Sequence, residues 1–194
     1  MPTYLLFCFR HGLSKGGVDC GFEGFFARFL FAATVWSEIL VVIGKHLCGV
    51  GMNGRYSVLL KKRALNALKW ARRAFSDGDY DTAVREAEYA VQLYVKSIVY
   101  RVLGEEVRGH NVRELLGILA SALVEEGFDK EAGELIDYVR KHRRELAELA
   151  YAHVRATYGL VEYGEREAEI LLKIAENVIE TLKVLEVKVF GEEI

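Results

Sequence analysis

From residue 55 to residue 189 apolar side chains recur every three or four positions, and no proline follows Pro2. That spacing gives a series of α-helices one apolar face each, and only glycine and polar loops remain to interrupt them. Leu60, Ala64, Leu68, Ala71 and Phe75 define a first helix that stops at Ser76-Asp77-Gly78. Asp79 reads as the N-cap of a second helix, striped by Ala83, Ala87, Ala90, Tyr94 and Ile98 and ended by Gly104. A polar stretch leads to a third, with Val112, Leu115, Leu119 and Leu123, closed by Gly127. A fourth is expected over 129–156, with Leu135, Val139, Leu146 and Leu149 in phase. Gly159 and Gly164 mark the next break, and Leu171, Ile174, Val178, Leu182, Leu185 and Val189 stripe the last helix. Nothing alternates with the period of a half-buried strand. Long helices on short connections predict an all-α, antiparallel up-and-down bundle of about five helices.

The first 51 residues have another character. They hold all three cysteines (Cys8, Cys20, Cys48) and seven of the ten phenylalanines, but only seven of the 54 charged residues. The chain therefore divides into an apolar extension, 1–51, and a bundle, 52–194. Arg28 and Glu38 interrupt the apolar run 25–43, which makes it a poor membrane span, and it begins too far along the chain for a secretory signal. Three readings of the extension stand: a translation start that belongs at Met52, an accessory helix packed on the bundle or on a second subunit, and membrane contact. No stable membrane insertion is expected. Cysteines this few and this scattered exclude a disulfide scaffold and point to the cytoplasm.

A net charge of -2 excludes nucleic-acid binding through overall basicity but leaves room for local patches. The first helix carries Arg55, Lys61, Lys62, Arg63, Lys69, Arg72 and Arg73 with no acid before Asp77. Arg140, Lys141, Arg143 and Arg144 flank His142 in the fourth. Such clusters can neutralise phosphates while the chain stays acidic, or they are ordinary solvated faces. Leu135, Val139, His142, Leu146, Leu149 and His153 keep one face, which places both histidines on or beside the apolar stripe. Tyr151, His153, Arg155 and Tyr158 add polar and aromatic groups at that helix end, where Arg155 suits a phosphate and a tyrosine suits a base.

Other motifs are weaker. Asp77, Asp79, Asp81 and Glu88 have calcium-loop spacing, but Thr82 stands where such a loop turns on glycine, and helix capping explains the aspartates. The histidines show no metal-ligand spacing, so no metal and no cofactor is expected. The turn over 75–83 resembles that of a tetratricopeptide repeat, which leaves a helical protein–protein adaptor as one reading, although nothing similar recurs 34 residues later.

The order of features resembles a HEPN domain over about residues 56–185. Its carriers are the turn over 75–83, the helix Ala87-Glu88-Tyr89-Ala90-Val91-Gln92-Leu93-Tyr94-Val95-Lys96, the pair Gly109-His110 ahead of Leu115-Leu116, and Arg155-Ala156-Thr157-Tyr158-Gly159. The resemblance implies a homodimer that pairs with a minimal nucleotidyltransferase, in some cases as a toxin–antitoxin system, and a nucleotide or RNA ligand. Onto this sequence it carries Arg155, Tyr158, His153, Lys96 and His110 as ligand-binding candidates. Many relatives in that family are metal-independent ribonucleases whose arginine precedes a histidine with four to six residues between them. No arginine stands at that spacing before His110, His142 or His153. An enzyme here would need an atypical pair such as His153 and Arg155, with histidine as acid and base and arginine on the phosphate.

Overall fold

The computed structural model describes residues 53–191, which form six α-helices. In chain order they are α1 (Asn53–Ser76), α2 (Tyr80–Leu103), α3 (Val112–Glu125), α4 (Asp129–Lys141), α5 (Arg143–Tyr158) and α6 (Glu165–Phe190). The apolar run 25–43, the three cysteines and Met52 lie outside the described residues. Among the described residues no helix is long and apolar enough to cross a membrane.

The all-α bundle expected from the periodicity is what forms. Asp79 caps α2 by accepting from Thr82 N at 3.1 Å, and Gly104 ends it at φ 73°, a left-handed conformation that glycine adopts without strain. Ala64, Ala67 and Ala71 of α1 and Ala83, Ala87 and Ala90 of α2 are all buried. Small side chains let these two helices approach closely, and theirs is the most extensive helix pairing in the fold.

α2 is the central helix, touched by α1, α3, α5 and α6. A solenoid repeat meets only its sequence neighbours, so the first hairpin is not the start of a tetratricopeptide array. Pairing fixes the helix directions. Lys61 early in α1 meets Glu186 late in α6, and Arg72 late in α1 meets Glu176 further back, so α1 and α6 are antiparallel. α2 meets Glu186 through Arg101 near its end, while Asp81 near its start holds Tyr163 just ahead of α6, so those two run parallel.

The single fourth helix expected over 129–156 is corrected to two helices, α4 and α5, joined at His142 (φ -103°, ψ 27°). α4 buries Ala132 and Leu135 and packs on α3, whereas α5 buries Leu146, Leu149 and Ala152 and packs on α2. One straight rod could not serve both neighbours, and the run of cations around residue 142 has no apolar face to resist a break. The break also shifts the phase of the buried face. His142 is half-buried with its ring 4.6 Å from that of Tyr138, but His153, one position past buried Ala152, is exposed rather than beside the core.

Candidate functional site

The polar groups that the fold itself does not require lie on α2. Glu88, Gln92 and Lys96 are spaced by four and share one face, within a helix whose other buried residues are apolar apart from Ser97, which bonds back to its own helix at Tyr94 O. Glu88 is 1% exposed and Gln92 6%. Gln92 Nε2 donates to Glu88 Oε1, so its amide oxygen faces the other way and takes the Nδ1 proton of His110 at 3.3 Å. This fixes the imidazole tautomer and leaves Nε2 as the outward atom. Glu88 Oε2 has no hydrogen-bond partner among the described residues. Burial raises the Glu88 carboxyl to about 7, and the Gln92 hydrogen bond opposes that rise only in part. The chain of contacts therefore runs from a buried carboxyl, through an amide, to a histidine at the surface.

One turn beyond Gln92, Lys96 lines a recess of about 120 Å³ with Tyr56, Leu60, Tyr100, Glu106 and Val107. Tyr56 and Tyr100 meet edge to face, 4.8 Å between centroids, and Glu106 beside Tyr56 raises that phenol above its ordinary range. A cation beside aromatic edges suits a phosphate attached to a base or sugar. A wider depression along α3 is flanked by Glu114 and Glu125 with no cation in its lining, whereas Lys96 offsets Glu106 in the recess.

The remaining candidates gather at the end of α5. Arg155 pairs with Glu167 Oε2 at 3.2 Å and lies 4.1 Å over the Tyr163 ring. Glu167 also accepts from Gly164 N, and Asp81 accepts from Tyr163 N at 3.0 Å. Gly159 N donates to Arg155 O at 2.7 Å, and a Cβ at residue 159 would collide with that oxygen, so only glycine closes the helix this way. Arg155 thus fastens the α5–α6 turn, while His153 and Tyr158 are exposed. An Arg155→Ala variant is expected to lose about 1 kcal/mol of stability in urea unfolding, because an exposed pair and a cation–π contact are each worth a fraction of that.

The structure holds His110 against Gln92, one turn from Lys96 on the same face of α2. His153, Arg155 and Tyr158 stand along the end of α5, near the opposite end of that helix, with His153 and Arg155 on different sides of α5. The rise from Asp81 to Gln92 and Lys96 puts the two groups about 16–22 Å apart along the axis. In the sequence Glu88 and Gln92 are two polar residues four apart on an alanine-rich helix, a signal submerged in the longer motif around them. Lys61 is not one of the surface cations expected on α1: it follows Leu60 on the core side and pairs with Glu186 at 2.8 Å. No group of three metal-ligating side chains occurs among the described residues.

A family model described as the HEPN domain matches residues 57–185. No curated protein and no solved structure matches the chain.

Proposed function

The chain belongs to the HEPN domain family, and from that premise we propose that it binds a nucleotide or RNA phosphate on the α2–His110 face and acts with a minimal nucleotidyltransferase in a toxin–antitoxin-type pair. The observation that carries this reading is the chain Glu88–Gln92–His110 ending beside the Lys96 recess. Buried polar groups cost stability unless fully hydrogen-bonded, Glu88 Oε2 is not, and what the pair does is orient a histidine at the surface one turn from Lys96. Lys96 supplies charge, His110 Nε2 supplies a second polar contact, and the Tyr56–Tyr100 edges flank a base or sugar. Tyr151, Val154, Tyr158, Leu160 and Val161 form an exposed apolar cluster around the end of α5, suited to a second copy or the partner.

Binding rather than cleavage is favoured by Arg155, whose guanidinium is already held by Glu167 and Tyr163. Lys96→Ala and His110→Ala are each expected to weaken ATP and RNA binding about tenfold to a hundredfold in equilibrium titration, the worth of a hydrogen bond to a charged group. Labelled RNA incubated with the protein in EDTA is expected to stay intact. Unchanged affinity in both variants would remove the site, and cleavage lost on His153→Ala would replace this reading with a ribonuclease. Pairing predicts that a nucleotidyltransferase encoded beside this chain elutes with it.

A further inference from the structure

We propose that the solvent face of α1 is a track for the phosphate backbone of single-stranded RNA, with Trp70 as a stacking platform. The inference rests on the RNA-binding reading and adds a second surface to it, on the side of α1 turned from Tyr56 and Leu60, which line the Lys96 recess. α1 carries seven cations and no carboxylate. Lys61 is buried on Glu186, and Arg72 holds Glu176 at 2.6 Å. Arg73 reaches Asp77 only at 3.6 Å with both side chains exposed, a pair too weak to compete with a phosphate. Arg55, Lys62, Arg63 and Lys69 are exposed and pair with no carboxylate among the described residues.

Their placement is linear. Arg55, Lys62 and Lys69 recur at intervals of seven, and with Arg73 they fall within about 40° of the helix circumference. The row extends about 27 Å, long enough for several nucleotides. Trp70, 61% exposed, and Leu59 border it on one side, with Arg63 just beyond. A file of cations beside an exposed indole is the pairing that single strands use, backbone on charge and base on ring. The second basic cluster does not match it: Arg140 is already 3.5 Å from Asp137, and Glu134, Glu145 and Glu148 interleave the cations of α4 and α5. An anionic membrane is the weaker partner. The continuous apolar stripe of α1 (Leu60, Ala64, Ala67, Leu68, Ala71) is buried in the bundle, and the exposed apolar residues, Val58 and Leu65 on one side of the cation row and Leu59 and Trp70 on the other, are split by it rather than joined in one band to insert.

The test measures anisotropy of a labelled uridine-rich single strand of about 20 nucleotides across a salt series. The variants are Lys62→Ala/Arg63→Ala/Lys69→Ala, Trp70→Ala, Trp70→Phe, and Lys96→Ala in parallel with ATP as a second ligand. Circular dichroism checks folding, which these exposed α1 changes are expected to leave intact. The triple variant is expected to lose about two from the slope of log affinity against log salt, since each phosphate contact on a single strand contributes about 0.7. Trp70→Ala is expected to weaken binding about fivefold to a hundredfold, with Trp70→Phe retaining most of the affinity. Full RNA affinity and an unchanged slope in the triple variant overturn the track, and the Lys96 site then stands or falls on its own ATP result. Loss in the α1 variants with Lys96→Ala unaffected for both ligands supports the track and removes the recess. A wild-type chain that binds ATP or phosphatidylserine vesicles but not the RNA strand overturns the track.

Discussion

A Glu186→Ala variant is expected to lose about 3–5 kcal/mol of folding stability, the cost of removing one partner from a buried ion pair. Glu186 and Lys61 are 4% and 5% exposed along their side chains, and Nζ lies 2.8 Å from Oε2. The same oxygen accepts from Tyr94 OH at 3.2 Å, while Oε1 takes Arg101 at 3.2 Å. Lys61 also lies 5.5 Å from the Tyr94 ring centroid, and the Arg101 guanidinium 3.8 Å from that of Phe190. One carboxylate thus ties the start of α1 and the end of α2 to the end of α6. Its loss strips a buried ammonium and a nearby guanidinium of the anion they share. Urea unfolding followed by helical circular dichroism reads the effect. A Lys61→Met/Glu186→Leu chain is expected to recover part of the loss, because an apolar pair of similar volume removes the desolvation costs of Lys61 and Glu186 while Arg101 still loses this carboxylate. A loss under about 1 kcal/mol in the single variant would mean that the pair is solvated, since exposed pairs are worth no more than that.

Glu88→Gln is expected to stabilise the fold by up to about 3 kcal/mol at pH 8, and to do little at pH 4. The direction follows from proton linkage. Burial raises the folded-state carboxyl to about 7 from an unfolded value of 4.5. Between those values the folded chain binds more protons than the unfolded one, so stability falls as pH rises through that window. Below it both states are protonated and there is no penalty. Above it the full shift, at 1.36 kcal/mol per unit, counts against the fold. Glutamine keeps an oxygen for the Gln92 amide to donate to and carries no charge, so its stability should be flat where the wild type declines. Parallel thermal melts at pH 4, 6 and 8 make the comparison. If the wild type showed no decline between pH 5 and 7 that glutamine abolished, Glu88 would have to be ionised at an ordinary value.

The helices were legible because each carries its own period and its own stop. Asp79, Gly104 and Gly127 act within a turn of where they stand, so local reading finds them. The break at His142 was hidden because Leu135 and Leu146 keep one phase on paper, while their partners, α3 and α2, belong to different parts of the chain. The same limit hid the role of Lys61, whose carboxylate is 125 residues away. It also hid the role of Arg155, which reads as a free cation until α6 folds back and brings Glu167 to it. The Gly109-His110 pair was recognised as a feature of the family, but that His110 reaches Gln92 depends on the polar stretch after α2 running back along that helix.

The central claim is that the α2–His110 face holds the phosphate of a nucleotide or RNA strand. Titrating ¹⁵N-labelled protein with ATP, and separately with single-stranded RNA, tests it residue by residue. Saturable shifts at the Gln92 side-chain amide, Lys96, Glu106 and the His110 ring are expected with both ligands, and in His110→Ala the shifts at Gln92 and Lys96 should need about tenfold to a hundredfold more ATP to saturate. Resonances at Gln92, Lys96 and His110 that stay fixed at saturating ligand would contradict it.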